Sequence, residues 1–121
     1  MAEDLDEMAC CMMGDFFTIF ANATRMRIFC ALQAGDQTVS QVAEHAGIAL
    51  PNASQHLRLM RDKGAVIADK RGQSVYYRIA DPRFIQAALL IRQALLEGIH
   101  DRAKAVASPA PETPVLHPAH T

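Results

Sequence analysis

The stretch that decides the fold is Val39-Ser-Gln-Val-Ala-Glu-His-Ala-Gly-Ile-Ala-Leu-Pro-Asn-Ala-Ser-Gln-His-Leu57. Its spacing is typical of two short helices joined by a tight turn. Ala43 is small enough to let the helices approach closely, and Gly47 can take the turn between them. Pro51 fits the first turn of the second helix, where its missing N–H is harmless. We therefore predict a helix-turn-helix over this stretch.

The flanking sequence extends this motif into a complete domain. Upstream, one helix is predicted from Asp4 and a second from the capping residue Asn22. Downstream, the apolar pattern changes to period two over Val66–Lys70 and Val75–Ile79, which indicates a β-hairpin. A last helix is predicted over Pro82–Arg102. The order ααααββα, mainly α with a small β-hairpin wing, is that of a winged helix-turn-helix domain.

A length of 121 residues suits one domain. We place the DNA-binding and dimerisation domain at residues 1–104 and predict a disordered Pro-rich tail over 105–121, which holds four of the six prolines. The last helix is apolar around much of its girth, more than one small core requires. A helix of this kind is usually buried on a second side, so it points to a dimer interface.

The net charge of −1 argues at first against a nucleic-acid partner, because phosphates attract Lys and Arg. The charge is unevenly distributed, however. Residues 1–15 carry −5, whereas residues 51–78, which include the second helix of the motif and the hairpin, carry +4. The small total therefore conceals one basic segment, and this segment together with the motif predicts a double-stranded DNA partner.

The predicted DNA surface combines side chains that can bind base edges or phosphates, on the second helix of the motif and at the wing. These residues are Asn52, Ser54, Gln55, His56, Arg58, Arg61, Lys70 and Arg71. A winged helix that binds only proteins is the alternative, but it would not need four cations along one face. A repressor without an effector also stays open.

Other classes of protein find little support in the sequence. It contains no Gly-rich phosphate loop, nucleophile elbow or HExxH motif, so we predict that the chain is not an enzyme. Charges interrupt every apolar stretch before ~18 residues, which predicts no transmembrane helix. The acidic start lacks a basic signal region, and three cysteines without a signal suggest a reducing compartment. We therefore expect a cytoplasmic protein.

Three parts of the sequence together resemble the ArsR/SmtB transcriptional repressors. They are Phe20-Ala-Asn-Ala-Thr-Arg-Met-Arg-Ile-Phe-Cys-Ala-Leu32, the helix-turn-helix, and the hairpin stretch with Gly64-Ala-Val-Ile, Arg71-Gly72 and Tyr76-Tyr77-Arg78-Ile79. The resemblance covers about residues 8–102. It implies a homodimer that pairs through its first and last helices and binds an inverted-repeat, palindromic operator. It also implies that a metal ion, metalloid or reactive sulfur species releases the DNA, with no cofactor required for DNA binding itself.

Two sensor sites known in this family are missing here. Gln41-Val42-Ala43-Glu44 has no cysteine where the family often carries a Cys-x-Cys motif. The last helix starts with Asp81-Pro82-Arg83 rather than the Asp-x-His of zinc and nickel sensors, and His100 is its only histidine. A histidine and carboxylate zinc site on that helix is therefore not expected.

The remaining candidates are Cys10 and Cys11 in the first helix and Cys30 in the second. The first helix has an apolar stripe at three- and four-residue spacing, formed by Leu5, Met8, Met12, Phe16 and Ile19. Neighbouring residues on a helix lie about 100° apart, so one of the adjacent cysteines must leave this stripe. Soft ions such as Cd(II), Pb(II) and Cu(I) favour sulfur ligands, and three thiolates suit trigonal As(III) in particular. We predict a thiol sensor in which all three cysteines bind As(III) or another soft metal ion.

Two other interpretations of the thiols stay open. Cys30 follows Arg27-Ile28-Phe29 as a sensing cysteine does in the persulfide- and redox-responsive branch of the family. The partner cysteine of that branch, in the last helix, is missing here, so a bridge would have to form with Cys10 or Cys11. Alternatively, Cys30 is a buried core residue with no sensing role.

Overall fold

In a computed structural model that describes residues 2–107, the described chain divides into two compact units between Ile85 and Gln86. The helices are α1 (Ala2–Phe17), α2 (Ala23–Leu32), α3 (Val39–Ala46), α4 (Leu50–Asp62) and α5 (Pro82–Ala107). The strands are β1 (Gln37–Thr38), β2 (Val66–Arg71) and β3 (Ser74–Ile79), and a 3-10 turn covers Thr18–Phe20. The predicted winged helix-turn-helix, mainly α with a β-hairpin, is confirmed.

The antiparallel sheet has three strands in the order β1-β3-β2, one more than predicted. β2 and β3 form the expected hairpin, with Val66 opposite Ile79. β1 adds to the free edge of β3, with Gln37 opposite Tyr77. Because β1 has only two residues, it is too short to show a period-two pattern in the sequence.

Local caps fix the start of α2 and both ends of α3. Asn22 caps α2, because its side chain accepts a hydrogen bond from the backbone N–H of Arg25 at 3.0 Å. α3 begins with a reciprocal capping box between Thr38 and Gln41. It ends at Gly47, whose φ of 70° lies in the left-handed region, so the chain can turn into α4.

The core of the first unit forms where α2, α3 and α4 meet the base of the hairpin. Each of the three helices supplies three buried apolar residues at helical spacing, and the hairpin base closes one end. The buried apolar residues are Ile19, Ile28, Phe29, Leu32, Val42, Ala43, Ala46, Ala53, Leu57, Met60, Ala65, Val66 and Ile79.

The apolar stripe of α1 enters this core only at its C-terminal end. The Phe16 ring packs against Phe20 and Phe84, with ring centroids 5.5 and 4.7 Å apart, and Phe20 in turn packs on Phe29. Earlier positions of the stripe remain exposed in the single chain, including Met12 at 65%. The N-terminal half of α1 therefore carries apolar surface that its own unit does not cover.

In the second unit, α5 continues from Gln86, and many of its apolar side chains are exposed. The exposed positions are Leu89, Leu90, Ile91, Leu95, Leu96 and Ile99. α5 ends at Ala107 rather than at the predicted residue 102, and the rest of the predicted tail, 108–121, lies outside the described residues. Among residues 2–107, no helix combines the length and apolar content needed to cross a membrane.

Candidate nucleic-acid interface

α4 separates an apolar face from a polar one. Ala53, Leu57 and Met60 are fully buried, which fixes the rotation of the helix about its axis. Residues two or five positions from a buried one are turned well away from it, because successive residues turn by about 100°. The predicted DNA residues that are exposed on α4 are Asn52, Gln55, Arg58 and Arg61.

The other two predicted residues of α4, Ser54 and His56, are half-buried at the sides of the helix. The Nδ1 atom of His56 lies 3.5 Å from Nη1 of Arg25. Arg25 itself is held by the 3-10 turn, since its Nε donates to the Ile19 carbonyl at 2.7 Å. Partial burial, followed by the charge of Arg25, lowers the pKa of His56 below 6.5. The His56 side chain is therefore directed toward α2.

The two cations of the wing differ in their surroundings. Lys70 is exposed, and within the described residues it forms no ion pair. Arg71, in contrast, pairs with Asp36 on the loop before β1 and, through Nε, with Asp69 at 3.0 Å. Its guanidinium also lies 4.7 Å above the centre of the Tyr76 ring. Hydrogen bonds to Asp36 and then to Asp69 raise the pKa of Arg71. The pair with Asp36 also joins the wing to the loop before β1.

Two further cations near α4 are paired with acids. Arg61 contacts its neighbour Asp62 at 3.3 Å, and both side chains are largely exposed, so this pair is weak. Lys63 contacts Asp15 of α1 at 2.8 Å. Arg58 and Lys70 are thus exposed predicted DNA cations without an ion pair among residues 2–107.

All three cysteines are free and exposed. The Sγ atom of Cys11 lies 3.9 Å from a carboxylate oxygen of Glu7, one helical turn earlier. Within residues 2–107, no group of three or more His, Cys, Asp or Glu side chains is arranged to hold a metal ion. The structure therefore does not bring Cys10, Cys11 and Cys30 together in one chain. The interpretation of Cys30 as buried core is wrong, because its side chain lies on the outer face of α2.

A polar contact that was not predicted supports the start of the motif. Gln37 is only 5% exposed, and its amide nitrogen donates to the Ala31 carbonyl at the end of α2. Its amide oxygen accepts a hydrogen bond from Nδ1 of His45 at 2.7 Å. Gln37 thereby ties α2 to α3, and the turn-like sequence around it gave no signal for this role.

The comparisons with known proteins agree with this architecture. A family model described as a helix-turn-helix domain matches residues 20–69. A probable mercury resistance operon repressor from Streptomyces lividans is 35% identical over 77 residues, which cover 64% of this chain and 62% of that protein. The chain thus matches less than two thirds of that relative's length. The transcriptional repressor SdpR from Bacillus subtilis is 31% identical over 67 residues, or 55% of this chain and 74% of SdpR.

Among solved structures, a solution NMR structure of Mb0332 from Mycobacterium bovis has a TM-score of 0.75 and 26% identity. It covers 81% of this chain and 91% of that domain, which is described as a homodimeric winged helix-turn-helix DNA-binding domain of a possible ArsR-family regulator. The described helices, wing and exposed polar face of α4 are those of this architecture. The chain belongs to the ArsR/SmtB family of winged helix-turn-helix transcriptional repressors.

Proposed function

We propose that this protein is a homodimeric repressor that binds an inverted-repeat operator and is released by a thiol-binding effector, As(III) or another soft metal ion. The observation that carries the DNA-binding part is the outer face of α4. Gln55 and Arg58 lie exposed there, three residues apart and therefore on neighbouring positions of one face. A helix with this face enters a major groove with its N-terminal half toward the bases.

The proposed contacts divide into two kinds. Asn52 and Gln55 carry amides, which can form paired hydrogen bonds with adenine, so we assign base reading to them. Arg58, Arg61 and Lys70 carry charges suited to phosphates. Ser54, His56 and Arg71 also belong to the proposed DNA surface. The contact of His56 with Arg25 and the ion pairs of Arg71 favour roles in positioning this surface, whereas the Ser54 hydroxyl forms no hydrogen bond within residues 2–107.

The homodimer is supported by apolar surface that one chain leaves exposed. Leu5, Met8 and Met12 of α1 are each more than half exposed, and so are Leu90 and Leu95 of α5. Exposed apolar residues in such numbers usually mark a protein interface. The homodimeric relative from Mycobacterium bovis favours a second copy of this chain as the partner. Two copies related by a twofold axis would match an inverted repeat in the DNA.

The effector proposal rests on accessible thiols. Cys10 and Cys11 are exposed on α1, the same helix whose apolar residues favour dimerisation. In a homodimer that pairs through α1, each chain would supply this pair, and a third thiolate could come from a cysteine of the second copy. Soft ions prefer such sulfur ligands. The relative from Streptomyces lividans is named for mercury resistance, so Hg(II) joins As(III) as a candidate.

A second candidate effector is an oxidant or persulfide. Exposure of Cys30 favours it, because a thiol must be accessible to be oxidised. In this mechanism the Cys30 thiol and the thiol of Cys10 or Cys11 together lose two electrons to the oxidant and release two protons, and one S–S bond forms between the two sulfur atoms.

The DNA-binding proposal is tested with a duplex taken from the region upstream of the protein's own coding sequence. We expect the affinity to fall steeply with salt, because bound cations release counterions from the phosphates. Gln55→Ala should lose discrimination against an altered site, whereas Arg58→Ala should weaken binding to every duplex alike. Salt-independent binding, or no binding to any duplex, would contradict the proposal.

The effector is identified by adding As(III), Hg(II), Cd(II) or a polysulfide to the protein–DNA complex. If the adjacent pair binds a soft ion, Cys10→Ser and Cys11→Ser should each abolish release by that ion. Cys30→Ser serves as the matched variant, since it reports whether the third cysteine is a ligand. Release by a polysulfide that is lost in Cys30→Ser would favour the redox mechanism. Unchanged release in the triple variant would rule out the thiols.

A further inference from the structure

Four hydroxyl groups meet at an open depression between the motif and the wing. The depression has a volume of about 320 Å³, and its lining includes Ser40 of α3, Ser54 of α4, and Ser74 and Tyr77 of β3. Within residues 2–107, none of these four hydroxyls forms a hydrogen bond to another protein group. The donors on this surface are therefore available to a ligand.

The lining also limits which ligand fits. It also contains Val39, Val75 and a fifth hydroxyl residue, Thr38, whose oxygen already accepts a hydrogen bond from the Gln41 backbone. None of the seven lining residues carries a charge. An anion entering the depression would meet hydroxyl donors and no carboxylate in its wall. Serine, threonine and tyrosine hydroxyls are common partners of DNA phosphate oxygens.

The position of the depression favours a phosphate that belongs to DNA. It lies between the start of α3, the recognition helix α4 and the wing strand β3. When a recognition helix enters the major groove, the first helix of the motif crosses the adjacent backbone strand. A DNA strand whose backbone runs from α3 toward the wing would therefore pass over this depression.

We propose that the depression formed by Ser40, Ser54, Ser74 and Tyr77 binds a phosphodiester of the DNA backbone beside the major groove. This inference rests on the proposed DNA-binding function and adds a neutral contact to it. The site is open, as a continuous backbone strand requires, and it would fix the register of α4 without reading a base.

The test is a fluorescence-anisotropy titration of the full chain with the upstream duplex over a range of salt concentrations. Ser54→Ala should weaken binding of the dimer about 10- to 100-fold, because one hydrogen bond to a phosphate is lost in each half-site. The salt slope should not change, since a hydroxyl displaces no counterion. Thr24→Ala is the matched control, because it removes a hydroxyl that accepts a hydrogen bond from Arg27, away from the depression.

A second measurement changes the DNA instead of the protein. Neutral methylphosphonates are placed at single backbone positions of each half-site, and both wild type and Ser54→Ala are titrated. At one position the penalty seen with wild type should be much smaller with Ser54→Ala, because the two changes remove the same contact.

The outcomes separate this inference from the proposed function. If wild type does not bind the duplex, the proposed function fails. If wild type binds but Ser54→Ala matches Thr24→Ala in affinity, the phosphate site is overturned. A methylphosphonate penalty that is equal in both proteins at every position overturns it as well.

Discussion

At the residue scale, neighbouring side chains of the same charge differ in their contacts. Lys70 and Arg71 are adjacent on the wing, but the guanidinium of Arg71 already satisfies two carboxylates while Lys70 faces solvent. Asp36 lies 35 residues before Arg71, so no local pattern could have paired them. The sequence therefore named both wing cations as candidates for DNA binding but could not show that Arg71 already pairs with two carboxylates.

The effect of the Asp36 carboxylate on DNA binding can be measured without changing Arg71 itself. Asp36→Asn should raise DNA affinity and increase the salt slope, because it releases part of the guanidinium for a phosphate. Lys70→Ala should lower the slope by about two, because the dimer loses one phosphate contact in each half-site. Glu44→Gln removes the same charge from an exposed position of α3 and serves as the control. Equal effects of Asp36→Asn and Glu44→Gln would indicate only a long-range charge effect.

His56 provides a pH dependence with a definite sign. Partial burial and Arg25 lower its pKa in the folded protein, so between that value and 6.5 the unfolded chain binds more protons. Its contribution to stability is thus complete above pH 6.5 and is lost as the pH falls toward the folded pKa. Urea unfolding above and below pH 6.5 should show a smaller acid loss in His56→Gln than in wild type. An identical loss in both proteins would exclude His56 as the cause.

At the element scale, the helix boundaries of the motif come from short-range chemistry. Asn22 and Gly47 act on residues within four or five positions, which is why the sequence predicted both correctly. β1 was missed because its partner strand lies far along the chain and its own length is two residues. α5 was predicted to end too early, since residues 103–107 include three alanines that continue the helix without an apolar pattern.

Two glycines of the first unit should respond to alanine with opposite signs. Gly47→Ala should lower the free energy of unfolding by about 1 kcal/mol, because an L-residue is strained at a φ of 70°. Gly14→Ala should raise it by about 0.5 kcal/mol, since Gly14 is helical and a Cβ there meets no atom within 4 Å. Urea denaturation measures both. Destabilisation by Gly14→Ala would show that this part of α1 is not helical in solution.

At the scale of the whole molecule, the distribution of apolar surface is the dominant feature. The core is supplied by α2, α3, α4 and the hairpin base, whereas α1 and α5 keep large side chains exposed. Composition alone could show that the last helix was too apolar for one small core. Which residues it leaves exposed became clear only when the rest of the chain had been placed.

Dimerisation should therefore be broken by a charge on α5. Leu95 is 63% exposed in the single chain, so Leu95→Glu should fold normally but shift the protein to monomer in analytical ultracentrifugation. DNA affinity should fall as well, because two linked half-site contacts bind more tightly than one. Gln86→Glu adds the same charge at an exposed polar position of this helix. A stable Leu95→Glu dimer would place the interface elsewhere.

The carboxylates around Arg71 have a consequence for the kinetics of operator binding. Lys70 and Arg71 are balanced by Asp36 and Asp69, so the wing adds almost nothing to the long-range field that draws a polyanion toward the protein. Association rates should then depend on the cations of α4. The wing would act after contact, through short-range fit, and its substitutions should change the residence time on DNA more than the rate of capture.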